Sequence, residues 1–214
     1  AIGVIESLGL LAEPALENVL AMLRAKSSAA APAPPRTEAK TLVLANNATA
    51  VDAAGVEAER LGYSHAMDAA TKSEGPAEEI GHSHAAMAIR MRDASAANEP
   101  DCLITGGEPT VALAPPEIRG RGGRNQQLAL AALTELGDCR DIALVSGGTD
   151  GEDGPTDAAG AMIDESIAAE LRDADAADTL RRNDAYTLFK PVGGLLMTGP
   201  TNTNVCDLRV VTVA

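Results

Sequence analysis

The chain has 214 residues, 45% of them hydrophobic, which is enough to bury the core of one large domain or two small ones. Its net charge of -14 excludes a general nucleic-acid surface or anionic-membrane surface, because both need an excess of positive charge. The three cysteines, Cys102, Cys139 and Cys206, are scattered and lack metal-ligand spacing, as expected in a reducing cytosol. With no signal peptide and no long apolar run, the sequence predicts a soluble cytoplasmic protein without nucleic-acid or membrane partners.

Apolar residues recur at helical intervals near the start of the chain, and short apolar runs alternate with helical patterns further on. In chain order, the sequence predicts helices within 2–24, a linker at 27–35, a strand at 41–45, a helix at 53–61, a strand at 64–67, a helix at 76–92 and a strand at 102–105. It then predicts a helix at 124–136, a strand at 142–146, one or two helices within 163–180, and final strands at 194–197 and 205–213. This alternation is typical of an α/β fold with a mostly parallel or mixed sheet, and the short last connection predicts an antiparallel edge.

Three loops rich in glycine follow the predicted strands of the second half. Ligands of open α/β sheets lie beyond the carboxyl ends of the strands, where glycine lets the backbone approach them closely. In the first loop we therefore expect Gly106, Gly107 and Glu108 to contact substrate. A tight turn with a solvated carboxylate explains the same residues equally well.

The second loop, 119–127, holds the densest group of cationic residues in this acidic chain and opens a helix. Backbone N–H groups at a helix start favour an anion, and arginine adds donors that match carboxylate or phosphate. The sequence therefore predicts an anion site with Arg121, Arg124, Asn125 and Gln126. The alternative is a helix start whose arginines pair with surface acids.

The third loop, 146–157, contains four carboxylates within eight residues, which repel one another unless a cation or hydrogen-bond donors hold them. Mg²⁺ takes one or two carboxylates together with water and phosphate oxygens, so Asp150 and Asp153 are candidate metal ligands. A later Gly/Pro/Asn segment supplies Thr201 and Asn204 as candidate substrate contacts, although such segments are usually turns. The sequence has no phosphate-binding P-loop, no dinucleotide-binding G-x-G-x-x-G and no G-x-S-x-G elbow.

Taken together, these loops resemble the glycerate kinase family whose C-terminal domain is called MOFRL. The matching segments are 104–111, 120–131, 148–161, 182–186 and 198–205, and the long Gly/Asp motif is the most specific of them. The resemblance implies a two-domain enzyme with its active site between the domains. Residues 1–97 would be the end of its Rossmann-like N-terminal domain, and residues 98–214 the MOFRL domain.

The resemblance also implies transfer of the γ-phosphoryl group of ATP to D-glycerate with Mg²⁺, usually to give 2-phosphoglycerate. Two alternatives remain open: an NAD(P)H-dependent hydroxypyruvate reductase, and a non-catalytic module that binds anions. The chain begins without an initiator methionine inside an apolar pattern, so we expect a fragment whose partner is the missing N-terminal half. That half should carry a lysine that acts on phosphate, so the fragment alone should be inactive. A homodimer is left open.

We assign roles to the residues on this basis. Arg124 would contact the transferring phosphoryl group or the glycerate carboxylate, with Arg121 as its support. Asp150 and Asp153 would bind Mg²⁺ or orient the attacking hydroxyl group, with Glu108 in reserve. The remaining predicted contacts to substrate are Gly106, Gly107, Asn125, Gln126, Thr201 and Asn204.

Overall fold

The computed structural model describes residues 1–28, 40–71, 74–94 and 100–214, which form two compact units, Ala1–Leu42 and Val43–Ala214. The first unit contains helix α1 (Ile2–Ser7), a 3₁₀ turn and helix α2 (Glu17–Ser28), as the helical spacing predicts. Most of the predicted linker lies outside the described residues, and so does the predicted domain boundary at 97/98. That boundary stays a prediction.

The second unit is built on one six-stranded sheet covered by helices. Its strands are β1 (His65–Asp68), β2 (Cys102–Gly107), β3 (Ile142–Gly148), β4 (Gly160–Ile163), β5 (Leu195–Leu196) and β6 (Asp207–Val213). Its helices are α3 (Asn47–Leu61), α4 (Ala77–Asp93), α5 (Arg124–Leu136), α6 (Glu165–Glu170), α7 (Ala176–Arg181) and α8 (Ala185–Val192). The strand order is β1-β2-β6-β3-β4-β5, with β1 and β2 parallel and the other pairs antiparallel.

The α/β fold class and the mixed sheet are therefore confirmed, but two strand predictions are wrong. The last strand does not lie at an antiparallel edge: β6 lies between β2 and β3, and it pairs with both along its length. Its run of apolar residues suits this central place, because a central strand is covered on both faces. Residues 40–46 form no strand, and Leu42, Val43 and Leu44 are largely exposed.

The core of this unit depends on small residues that let its helices approach closely. Helices α4 and α5 pack together, and a Cβ atom added at Gly81 of α4 would lie 2.4 Å from the carbonyl oxygen of Leu128 in α5. Ala85 and Ala88 of α4 are fully buried in the same core. No helix of the described part is both long and apolar enough to cross a membrane.

The buried imidazole of His84 in α4 has a partner for each ring nitrogen. Nδ1 lies 2.8 Å from the carbonyl oxygen of Ile80, so it carries the proton, and Nε2 accepts from the Thr105 hydroxyl at 2.8 Å. Burial lowers the pKa of His84 below its ordinary value, and this effect outweighs the hydrogen bond to Ile80, which raises the pKa. The folded protein therefore favours the neutral ring.

We expect His84 to make stability depend on pH. Its folded-state pKa is depressed, so its contribution is complete above the ordinary value of 6.5 and is lost as pH falls through the folded value. Urea unfolding between about pH 7.5 and about pH 5 should show a loss of stability that His84→Gln reduces. His82→Gln, on an exposed part of the same helix, is the control. Equal pH dependence in wild type and His84→Gln would contradict this expectation.

The antiparallel insertion of β6 decides where the loops meet. In strand register, Asp207 at the start of β6 lies opposite Gly107 at the end of β2 and Gly148 at the end of β3. An antiparallel strand begins at the end of the sheet where its neighbouring strands terminate. The segment before β6 therefore lies beside the loops that follow β2 and β3, at the end of the sheet where those two strands terminate.

Candidate functional site

Two clefts open where these loops meet, and Arg124 lines both of them. The first cleft has a volume of about 550 Å³, and its walls include Arg124, Asp150 and Glu152. The second cleft has a volume of about 510 Å³, and its walls include Gly107, Glu108 and Arg124. The structure thus brings Arg124 and Asp150, which are 26 positions apart in the sequence, to one opening.

Arg124, the first residue of α5, is held by two carboxylates. Its Nε and Nη2 atoms donate to Asp207 at 2.7 and 2.9 Å, and its Nη1 atom donates to Glu108 at 3.2 Å. The Asp207 side chain is fully buried, whereas Arg124 remains about one-third exposed. The hydrogen bonds to Asp207 raise the pKa of Arg124 further above its ordinary value, so its charge is permanent. The predicted anion-binding arginine is therefore charged and fixed in orientation.

Sequence reasoning missed Asp207, the residue that holds this arginine. It lies three positions after Asn204, a candidate from the preceding turn segment. The available signal was a carboxylate near the start of the strand predicted at 205–213, just after a loop with candidate site residues. Recognising it required the position of β6 in the sheet, which the sequence pattern predicted incorrectly.

Asp153 acts on helix α5 from the third loop. Its carboxylate oxygens accept the backbone N–H groups of Asn125 at 3.0 Å and Gln126 at 2.9 Å, and the Asn125 side chain donates at 3.3 Å. Burial raises the pKa of Asp153, while these donors oppose the rise. A carboxylate of the protein itself thus occupies the helix start at which the sequence predicted an anionic ligand.

Asn125 and Gln126 also have a different place from the one predicted. Both side chains are fully buried, and neither is among the described residues that line the two clefts. Asn125 Oδ1 accepts from the Ser146 hydroxyl at 2.6 Å, and Gln126 Nε2 donates to Thr156 at 3.0 Å. In place of the predicted substrate contacts, these two side chains join the second loop to β3 and the third loop.

The predicted residues of the last loop lie beside Asp150. Asn204 Nδ2 donates to Asp150 Oδ2 at 2.9 Å, and the Thr201 backbone N–H donates to the Asp150 carbonyl at 3.0 Å. Gly151 has a φ of +87°, and a Cβ atom there would lie 2.0 Å from the Gly199 carbonyl oxygen. Glycine is needed at this position, because both the φ angle and the close approach of the two loops exclude a side chain.

Arg121 lies in a separate cluster from Arg124. Its guanidinium carbon lies 4.1 Å from the centre of the Tyr186 ring, a cation–π contact, and its Nη2 atom lies 3.7 Å from Asp157. The Tyr186 hydroxyl donates to the same carboxylate at 2.6 Å. These contacts attach the second loop to α8 and to the end of the third loop. Arg121 does not appear among the described residues that line either cleft.

The residues of the first loop divide between core and cleft. Gly106 is buried inside β2, where a Cβ atom would lie 1.8 Å from Oδ1 of Asn47. Gly107 and Glu108 line the second cleft, and the Glu108 side chain is 59% exposed. Glu108 therefore remains accessible to a ligand, whereas Gly106 has a packing role.

The two candidate metal ligands differ in their fit to Mg²⁺. Asp153 does not fit, because its side chain is buried and both oxygens accept from the start of α5. Asp150 fits: it lines the first cleft, and its donors, the Glu152 backbone N–H and the Asn204 side chain, are neutral and leave oxygen lone pairs. Within the described ranges, no group of three or more His, Cys, Asp or Glu residues is arranged to hold a metal ion.

Comparisons with known proteins agree with the loop pattern. Residues 101–207 match the model of the MOFRL family. The D-glycerate 2-kinase of Thermotoga maritima is 47% identical over 114 residues, which cover 52% of this chain and 27% of that protein. The glycerate 2-kinase of Pyrococcus horikoshii is 36% identical over 174 residues, which cover 80% of this chain and 39% of that protein.

A solved structure extends the match beyond the MOFRL region. The crystal structure of glycerate kinase from Thermotoga maritima aligns with a TM-score of 0.73 at 36% identity, covering 79% of this chain and 41% of that chain. The chain thus spans less than half the length of these relatives. Its loops, its matched segment and its fold together show that the chain belongs to the glycerate kinase family, with residues 101–207 matching the MOFRL family.

Proposed function

We propose that this chain is part of an enzyme that phosphorylates D-glycerate at the expense of ATP and forms 2-phosphoglycerate. The observation that carries the proposal is the common cleft of Arg124 and Asp150, which offers a fixed cation and an accessible carboxylate to one ligand. The names of the relatives, D-glycerate 2-kinase and glycerate 2-kinase, support glycerate as the acceptor.

Phosphoryl transfer depends mainly on positioning and on neutralisation of charge, which is the chemistry that this cleft can supply. Arg124 would bind either the transferring phosphoryl group or the glycerate carboxylate through its N–H donors. Asp150 would hold Mg²⁺, which when bound supplies positive charge to the phosphate oxygens. Asn204 and Thr201 would keep Asp150 in position, and Glu108 would contact substrate from the second cleft.

We also propose that further residues, outside this chain, complete the site. None of the described residues that line the two clefts is a lysine, although lysine commonly binds transferred phosphate. The relatives are more than twice as long as the segments matched here, and the remainder of such a chain would supply the missing cation.

An assay of ADP release that depends on both ATP and D-glycerate tests this function. We expect turnover from a longer form of the protein. This form would also contain a segment equivalent to the part of the relatives that this chain does not match. We expect little turnover from the 214-residue chain alone. NADH oxidation with hydroxypyruvate and no ATP would indicate a reductase instead. Absence of glycerate-dependent ADP release from both forms would overturn the proposal, and equal activity of both forms would overturn the need for further residues.

In the active form, Arg124→Ala should lower kcat/KM for glycerate at least tenfold, which corresponds to about 1.4 kcal/mol in the activation barrier. The reason is the loss of the fixed cation that both clefts share. Arg140→Ala is the matched control, because Arg140 is exposed and precedes the start of β3, at the end of the sheet opposite to the clefts. A loss smaller than tenfold would remove Arg124 from the catalytic residues.

A further inference from the structure

Asp207 has a backbone position that is fixed from three sides. It pairs with Gly107 of β2 and Gly148 of β3, and the Asn47 side chain donates to its carbonyl oxygen at 3.0 Å. Its carboxylate is fully buried, so it cannot itself contact a ligand in either cleft. Asp207 can therefore affect a ligand only through its charge or through the group that it holds, Arg124.

The pair between Asp207 and Arg124 uses one edge of the guanidinium group. Asp207 accepts from Nε and Nη2, and Glu108 accepts one hydrogen of Nη1. A guanidinium group has five N–H donors, so unused donors remain on Nη1 and Nη2. These remaining donors are suited to binding of a phosphate or carboxylate group.

We propose that Asp207 is a positioning residue that holds Arg124 so that its remaining Nη1 and Nη2 donors receive the anionic group of the ligand without rearrangement. The inference rests on the proposed function for the identity of that group, a phosphoryl or carboxylate group. Arginine has many side-chain conformations, and fixing them during folding leaves less ordering to be done when the ligand binds. Asp207 thus strengthens binding although it carries the same charge sign as the ligand.

Positioning by Asp207 and simple charge repulsion predict changes of opposite sign in anion affinity when Asp207 loses its charge. Repulsion alone would make an anion bind more tightly when Asp207 loses its charge, because a buried negative charge near the cleft is removed. Positioning predicts weaker binding, because Arg124 is no longer held. The direction of the change therefore separates the two effects.

The test is calorimetric titration of the 214-residue chain with inorganic phosphate. Asp207→Asn should raise the dissociation constant of phosphate at least about fivefold, through lost preorganisation of Arg124. Glu152→Gln, which removes an exposed negative charge from the first cleft, should leave that constant unchanged or lower it. In the Arg124→Ala background, Asp207→Asn should cause no further loss, whereas a general structural defect would cause one.

Two controls keep the outcome interpretable. Thermal unfolding shows whether each variant is folded, and Asp207→Glu, which keeps the charge but displaces it by one methylene group, should also weaken phosphate binding. Equal or tighter binding of phosphate by folded Asp207→Asn or Asp207→Glu would overturn the inference, as would no phosphate binding by the wild type. Phosphate binding as expected, together with no glycerate-dependent turnover in the unsubstituted longer form, would instead count against the proposed function, because the phosphate titration does not depend on turnover.

Discussion

Replacing Glu74 with alanine should lower the free energy of unfolding by about 3–5 kcal/mol, because it removes the carboxylate that compensates a buried guanidinium group. Arg209 in the central strand β6 is 1% exposed, and its Nη1 and Nη2 atoms donate to Glu74 at 2.9 and 2.6 Å. Its Nε atom already lacks a hydrogen-bond partner among the described residues. The alanine variant would leave this cation buried without a counter-charge in hydrogen-bond contact among the described residues.

Urea unfolding of three variants checks this expectation. Glu79→Ala, an exposed glutamate in the first turn of α4, should change stability by less than about 1 kcal/mol. The double variant with Glu74→Ala and Arg209→Met should be more stable than Glu74→Ala alone, because an uncharged pair needs no compensation. A Glu74→Ala chain as stable as the Glu79→Ala control would show that the pair has no such role.

Asp153→Ala should destabilise the protein by about 3 kcal/mol, because two buried backbone N–H groups of α5 lose their acceptor at about 1–3 kcal/mol each. Removing a buried carboxylate recovers part of this loss, since burial already disfavours its charge. Asp153→Asn keeps an acceptor oxygen and should cost less. Differences in the midpoint of urea unfolding measure the effect.

The matched control for Asp153 is Asp175→Ala. Asp175 also accepts a backbone N–H at a helix start, from Asp178 at 2.9 Å, but it is exposed. Water replaces its oxygen, so we expect a cost of only about 0.5–1 kcal/mol. If the two variants lost the same stability, the buried hydrogen bonds of Asp153 would not be the cause of its effect.

The sequence predicts the elements of the sheet better than their arrangement. Apolar runs place β2, β3 and β6 to within a few residues, because buried strands need such runs whatever their neighbours are. The same runs do not indicate which strands are neighbours in the sheet. The short last connection therefore decided the prediction for β6, and it placed this strand at an edge. Strand β4 was missed because its four residues follow the Gly/Asp loop without an alternating pattern.

For the candidate site, the residue types and loops were predictable, but the direction of each side chain was not. Arg124 and Asp150 follow from glycine-rich loops at the ends of strands. Asp153 belongs to the same acidic loop as Asp150, and nothing in the local pattern distinguishes a carboxylate that is buried against a helix from one that lines a cleft. The difference arises from the packing of the second loop on the third, where Gly123 meets the backbone of Asp153.

The place of β6 also constrains the order in which the protein assembles. β6 follows every other strand of the sheet in sequence, and β2 begins about 100 positions before it. Until β6 emerges from the ribosome, β2 and β3 have no shared neighbour, and each exposes a row of unpaired backbone groups. We therefore expect the nascent chain to depend on protection of these edges, and the cleft residues to come together only when β6 pairs with both strands.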